Sequence, residues 1–556
     1  RRKQMMTCSN VFIRLILVGL VPSTPAHGKD LTTLDDTVDS RTLRTTPASN
    51  YPAFCEAYHN IGKLVLEVNN WGMFGTPRQE TDTFCMLGSP LPVDMTGRGT
   101  YPKGSWINYL YWGSLWVGAI DRDDSIVSVG DEGDLDPPVS PFGELQFRSS
   151  LHPDSPGYSK AISEQDYLAI YSDSRGANRG TDYFRPGGHR PLPVEVRQHS
   201  YAWSEGYADD FVLFDYRIRN MGDGRINRMF VGIFIDGDVT YGPPGGYDPS
   251  VHYGSADDDV CGFLRSWPSA KGCGFIDTLQ MPWIADNDGD PDGAYYVHRR
   301  TWSSCTGVQG IMYLQQPQMF ERRSFNWWIK NLYLDYDFGP MRRPPAGQQP
   351  YDFRTGSTGE PYGDRNKYYL LSNGETDYDQ IYTDQIWGDN PDWMPPSQKY
   401  AKLYSRGGDV RYLYSVGPFD LGPQEDVAIT MAYVAGENLH HVPSNYGLLD
   451  IGAPDQYYAN LDFSGLAQNA MWARWVYDNP GVDTDGDGYF GKSRICVLDS
   501  VWVDDHWVVS LADTSFYEGD GVPDFRAVTP PPQPTFWLYP ADHGIRVRFN
   551  GRLSET

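Results

Sequence analysis

Two apolar segments in the middle of the chain alternate with period two, and that period constrains the fold more than any other feature. In Phe211-Val-Leu-Phe-Asp-Tyr-Arg-Ile-Arg219, the side chains of Val212, Phe214, Tyr216 and Ile218 share one face of an extended strand. Met229-Phe-Val-Gly-Ile-Phe-Ile235 follows, and Asn220-Met-Gly-Asp-Gly224 between them has turn chemistry, so the two are predicted to form a β-hairpin. Lys63–Val68 alternates in the same way, with Leu64, Leu66 and Val68 on one face, as in a half-buried strand. Val427–Val434 reads as a further strand. The block Trp106–Ile120 contains Gly113 and Gly118, which disfavour a long helix and favour strands, and Ile126–Val129 continues it.

The fold class predicted is therefore mainly β. Residues 55–463 form an aromatic-rich region of one or two antiparallel sandwiches, with long loops where Gly, Pro, Asn and Asp cluster. Aromatic content of 14%, with 58 Gly and 42 Pro, agrees with turn-rich β architecture. Within that region Trp327-Trp328 suits buried packing better than sugar stacking. One helix is predicted in 464–479, capped by Ser464 and carrying Leu466, Ala470, Ala473 and Tyr477 at helical spacing. Ahead of the β region, 1–28 reads as a signal peptide and 29–54 as a flexible leader. Beyond the helix come an acidic linker, 480–526, and a final segment, 527–556, that begins with the stiff Pro530-Pro-Pro532 and contains the alternating Ile545–Phe549.

The linker carries the most specific chemistry. Asp483-Thr-Asp485-Gly-Asp487-Gly488-Tyr489 places carboxylates at alternate positions, a glycine for a sharp turn and then a backbone carbonyl, the hard oxygen donors that calcium prefers. The first seven positions follow an EF-hand loop, but the twelfth is Arg494, where an EF-hand has a bidentate Glu. The missing ligands are sought in Asp513, Asp520 and Asp524. Gly486–Ser493 also matches a phosphate-binding loop, yet three aspartates would repel a triphosphate and no apolar strand leads in. A second acidic run offers Asp286, Asp288 and Asp290 as calcium ligands, although Pro291 breaks the EF-hand spacing. Asp257-Asp258-Asp259 reads as a solvated loop.

The linker resembles the calcium loops of thrombospondin type 3 repeats and dockerins, in which short Asp-rich loops cooperate without a full EF-hand. The end of the chain resembles the first strands of a fibronectin type III domain, which implies an N-terminal part of a longer polypeptide. The whole is similar to uncharacterised secreted bacterial proteins that join an aromatic β region to such a linker and to C-terminal fibronectin-like or sorting domains. Tyr101–Ser105, Leu115–Ile120, Ser324–Trp328, Gly374–Gln380 and the linker carry that resemblance. It implies location more than activity.

A formal charge of −26 repels nucleic acid and anionic membrane and attracts divalent cations. No segment after the leader approaches the roughly 20 apolar residues of a membrane span. Of seven cysteines, Cys8 leaves with the signal, and the remaining six are expected to be largely oxidised, with Cys261–Cys273 favoured and Cys55–Cys85 second. Enzyme signatures are sparse. Glu195, His199 and Glu205 around Tyr201 and Trp203 could line a glycoside-hydrolase cleft, and His440-His441 could touch a metal, though a plain loop pair is commoner. The leading expectation is a secreted, calcium-stabilised structural or adhesive protein that assembles with itself or a surface. A carbohydrate-binding protein and a glycan-active hydrolase are the alternatives.

Overall fold

The computed structural model describes residues 54–76, 85–86, 96–121, 123–138, 145–154, 157–173, 189–241, 258–269, 273–289, 305–315, 320–329, 341–342, 361, 363–386, 392–394, 396, 398–441, 453–503, 505–526, 536–541 and 544–549. The chain begins with β1 (Cys55–His59), β2 (Leu66–Asn69), β3 (Met73–Phe74), β4 (Cys85–Met86), β5 (Ile107–Asp121) and β6 (Asp124–Val129). There follow β7 (Gln146–Arg148), β8 (Gln165–Ser172), β9 (Val194–Ala202), β10 (Phe211–Asn220) and β11 (Ile226–Tyr241). The next strands are β12 (Asp259–Pro268), β13 (Ile276–Asp286), β14 (Val308–Tyr313), β15 (Arg322–Ile329), β16 (Val410–Leu421) and β17 (Asp426–Gly436). Helices α1 (Gly363–Ser372), α2 (Thr383–Ile386) and α3 (Gln398–Tyr404) precede β16, and α4 (Asp455–Tyr458) and α5 (Ser464–Tyr477) follow β17. The last elements are two hairpins, β18 (Lys492–Val503) with β19 (His506–Glu518), and β20 (Phe536–Ala541) with β21 (Gly544–Phe549).

Two large sheets carry the sandwich. The nine-stranded one runs β15-β16-β11-β5-β3-β2-β1-β4, with β6 added on β5, and the eight-stranded one runs β12-β13-β14-β17-β10-β9-β8-β7. Pairing is antiparallel except for β1 with β4. Their facing sides share one core in which Phe74 meets Phe214 at 5.2 Å and Tyr313 meets Tyr414 at 4.9 Å. The outer faces are covered too. Helix α1 lays Leu370 and Leu371 on the Trp116, Phe234 and Leu413 side of the first sheet, and α5 buries Leu466, Ala470 and Ala473 against the second. Central strands are thus buried on both faces, including β2, where a half-buried pattern was expected.

The predicted hairpin between Phe211 and Ile235 does not form. β10 pairs with β9 and β17 in one sheet, and β11 pairs with β5 and β16 in the other. The turn residues therefore make a corner between layers, and the link from β16 to β17 makes a second corner beside it. Asn220 joins them: its side-chain amide donates to Leu421 O and Gly422 O at 3.1 Å, and its backbone N–H donates to Glu425 O at 2.9 Å. Turn chemistry specifies a reversal, but which sheet receives the returning strand depends on burial of both faces. Gly113 in β5 has a packing role instead, since a Cβ there would meet the Phe74 ring at 2.1 Å. Helix α5 starts at Ser464 without a side-chain cap, and Asp462 Oδ1 accepts the Ser464 N–H at 2.8 Å in place of the predicted serine cap.

Cys273 bonds Cys496, with Cα atoms 5.8 Å apart, so the favoured Cys261–Cys273 pairing is wrong. Cys261 lies within β12 and, like Cys305, is a buried thiol, whereas Cys55, Cys273 and Cys496 are disulfide-bonded. Cys55 is disulfide-bonded and stands in register with Cys85 on the neighbouring strand.

Complete burial pushes His59 on β1 down to about 3, while its Nε2 lies 2.8 Å from Ser200 Oγ. The unfolded imidazole takes a proton below about pH 6.5, whereas the folded one stays neutral. Its contribution is therefore intact above that pH and lost as pH falls towards the folded value, by about 1.4 kcal/mol per pH unit. His59→Gln is expected to flatten the fall in melting temperature between neutral and mildly acidic pH. Parallel wild-type and variant curves would contradict this assignment.

Candidate metal centre and apolar hairpin

The linker is not a continuous acidic strap. Its two acidic halves are separated by the β18–β19 hairpin and return to one another at the hairpin base. Asp483, Asp485 and Asp487 each offer a carboxylate oxygen, all within 4.8 Å of one another. The loop is shaped by its own aspartates. Asp483 accepts the N–H groups of Gly486 (2.7 Å) and Gly488 (2.9 Å), and Asp487 accepts that of Tyr489 (2.7 Å). Gly488 has φ of +91°, a region that favours glycine.

The other predicted ligands divide. Asp520 and Asp524 hold the loop from below: Asp520 accepts the Thr484 N–H at 2.6 Å, and Asp524 accepts the Thr484 hydroxyl at 2.7 Å and the Asn479 N–H at 2.7 Å. Asp513 is an exposed strand residue in register with Cys496 and does not join the three. Asp478, which sequence reasoning missed, accepts the Gly521 N–H at 3.0 Å. Burial, aided by Asp520 and Asp524, raises its carboxyl to about 7.

The second acidic run is also rearranged. Asp286 closes β13 and accepts the Asp288 and Gly289 N–H groups on Oδ1, at 2.9 and 2.6 Å. It gathers with Asp258 and Asp259 rather than with Asp288, which is half-buried, while Asp290 lies outside the described residues. Asp258 and Asp259 are buried at the head of β12, not solvated as expected. Beside them stand Asp236, Asp238 and Asp409, the first and last of which pair with Arg411 at 2.7 and 3.0 Å.

Arg494, the residue that spoils the EF-hand, is an anchor. Its guanidinium donates to Asp277 at 3.0 Å and to Ser269, and lies over the rings of Phe275 (4.4 Å) and Tyr517 (4.8 Å). With the Cys273–Cys496 bond it fixes the hairpin base to the ends of β12 and β13. Above the base the hairpin is exposed on both faces. Ile495, Leu498, Trp502, Trp507, Val509 and Leu511 are all open to solvent, and Trp502 and Trp507, 56% and 59% exposed, meet edge to face at 5.3 Å near the tip. The apolar runs Ile495–Leu498 and Trp507–Val509 are the sequence signal for this hairpin, set between acidic segments that dominate the composition of the linker.

A cleft of about 650 Å³ opens beside the hairpin base, lined by Trp267, Gln468, Trp472, Trp475, Asn479 and Phe516. The other candidates do not assemble. Glu195 lies at the start of β9 and Glu205 beyond its far end, with about 23 Å of strand between Glu195 and Ala202, against roughly 5–10 Å for a glycosidase pair. His440 is buried and donates from Nε2 to Asp286 O at 2.7 Å. Trp327 and Trp328 are buried in two different clusters.

No family model matches the chain, and no curated protein matches it. Among solved structures it is similar to one from Escherichia coli K12 described provisionally as an aldose 1-epimerase. Identity is 8% and the TM-score 0.22, over 69% of this chain and 100% of that one. A likeness of that size carries no argument about chemistry. Among the described residues no helix is long and apolar enough to cross a membrane.

Proposed function

We propose that this chain is a calcium-stabilised, non-catalytic assembly subunit of the extracellular space, in which the hairpin tip of one copy enters the cleft of the next. The observation that carries this reading is the apolar hairpin, exposed on both faces above a base that the described residues anchor to the sandwich. Contiguous apolar surface of this kind on an otherwise acidic chain marks a docking element. A second copy is the favoured occupant because the same chain offers a complementary receptor. The tip presents two tryptophans, and the cleft is walled by three more with Phe516. Knob and hole lie at different places on one molecule, so the contact is heterologous and, unless the rotation closes a ring, gives an open filament. The open edges of β18 and β19 supply a further pairing site along the same element. Calcium at Asp483, Asp485 and Asp487 would fix the angle at which the hairpin leaves the sandwich. The Cys273–Cys496 bond supports an oxidising setting.

Sedimentation velocity of the full chain in calcium tests the assembly. Wild type is expected to grow with concentration beyond a dimer. Trp502→Ser with Trp507→Ser, which removes the knob, and Gln468→Trp, which fills the cleft mouth, are each expected to remain monomeric. Mixed together they should form dimers and nothing larger, because one intact knob meets one intact hole. A wild type that stays monomeric at every concentration would reject the reading.

The three cleft tryptophans, with Gln468 and Asn479 nearby, also favour a second reading, the stacking of sugar rings. Quenching of tryptophan fluorescence by an oligosaccharide, abolished by Gln468→Trp in a monomeric wild type, would replace assembly with carbohydrate binding.

A further inference from the structure

We infer that Asp259 and Asp286, together with Asp258, form a second calcium site, buried where the two sheets of the sandwich join. The placement comes from pairing register. Asp259 on β12 is the direct cross-strand partner of Asp286 on β13, and like charges in that position repel. Both residues are fully buried, and Asp258 is 1% exposed. One oxygen of each paired aspartate is spoken for: Asp259 Oδ2 accepts the Val239 N–H at 2.9 Å, and Asp286 Oδ1 accepts the two N–H groups of its own turn. The other oxygens, Asp259 Oδ1 and Asp286 Oδ2, are buried without a hydrogen-bond partner, as is Oδ1 of the adjacent Asn287. Each of the three aspartates brings an oxygen within 4.8 Å of the others.

Burying one carboxylate without a partner is costly, and burying two that face each other is costlier. Either the group carries protons or it holds a cation. Oxygen-only donors with several carboxylates suit calcium, whereas magnesium demands near-octahedral geometry and usually keeps several waters instead of an all-protein cage.

The surrounding backbone is built tightly. Gly407 has φ of +123°, and a Cβ there would lie 2.2 Å from Asp258 O. Gly408 N–H donates to Asp259 O at 2.9 Å, and Val239 belongs to β11. A cation here therefore ties β11 and the approach to β16 in the first sheet to β12 and β13 in the second. This site is independent of the linker loop and of any assembly.

The test uses the sign of a neutralising substitution. Asp259→Asn and Asp286→Asn are made separately in a chain already carrying Asp485→Ala and Asp487→Ala, so that the linker loop contributes no calcium. Bound metal is counted after equilibrium dialysis, and melting is followed with calcium and with chelator. Each Asn variant is expected to lose one bound calcium, to melt below its parent in calcium and to melt above it in chelator, where the repulsion is relieved. Asn retains an acceptor for the backbone N–H groups, so folding should survive in at least one variant. The inference is overturned if the parent holds no calcium, or if the variants shift in the same direction in both media.

Discussion

Chelation of the calcium-loaded chain is expected to lower its melting temperature and to open the Tyr489–Pro523 region to protease. Ten acidic side chains lie between Asp483 and Asp524, against Lys492 and Arg494 as the only Lys or Arg. The structure concentrates part of that charge at the hairpin base, where Asp483 and Asp520 accept N–H groups of the loop itself, Asp524 accepts that of Asn479 and Asp478 accepts that of Gly521. Without a cation the repulsion is offset, among the described residues, by those hydrogen bonds, by the Lys492–Glu518 ion pair at 2.5 Å and by Arg494. A ligand at 100 times its dissociation constant stabilises the folded state by about 2.7 kcal/mol per site. If both proposed sites fill, chelation removes that amount twice. The two losses separate experimentally. Asp485→Ala with Asp487→Ala should reproduce the protease sensitivity in calcium while leaving most of the melting temperature in place, because the hairpin is peripheral to the sandwich core. Unchanged melting and unchanged protease resistance in chelator would show that neither acidic group binds calcium to effect.

The period-two alternation was sufficient to recognise strands, and most lie where it places them: β5, β6, β10, β11 and β17 all coincide with apolar segments. Their partners were less legible. β10 and β11 alternate as a hairpin would, but both outer faces are covered, by α5 and α1, and that burial belongs to residues more than a hundred positions away. The acidic loop was legible because its three aspartates are local in sequence. The buried trio was not, since Asp259 and Asp286 meet through strand register across 27 positions and Asp258 looked like part of a solvated run. The favoured cysteine pairing failed for the same reason: Cys273 reaches Cys496 across a separation of 223 residues, while nearby Cys261 is buried in the core. Arg494 shows the converse. Its presence at the twelfth loop position correctly excluded an EF-hand, but its own role depended on Asp277 and Phe275, which the sequence does not connect to it.

Arg494→Ala is accordingly expected to loosen the hairpin without unfolding the sandwich. The guanidinium and the Asp277 carboxylate are about nine-tenths buried, and removal of one partner leaves the other charge in a site built for a pair. Breaking a buried pair in this way costs roughly 3–5 kcal/mol. Loss of the two ring contacts adds to it. Among the described residues the hairpin is attached to the sandwich around its base, so the cost should appear as local opening rather than as a fall in global stability. Amide hydrogen exchange across Lys492–Glu518 is expected to accelerate by roughly 100-fold or more, with β10 and β17 unchanged. Arg494→Lys keeps the charge but cannot hold Asp277 and Ser269 together while lying flat between two rings, so it should fall between wild type and alanine. The Cys273–Cys496 bond still tethers the loosened hairpin, and reduction of that bond should increase exchange further in the alanine variant than in wild type. Exchange in β18 and β19 that is equally slow in all three proteins would mean that the disulfide and the acidic base alone set the hairpin, and that Arg494 is dispensable to it.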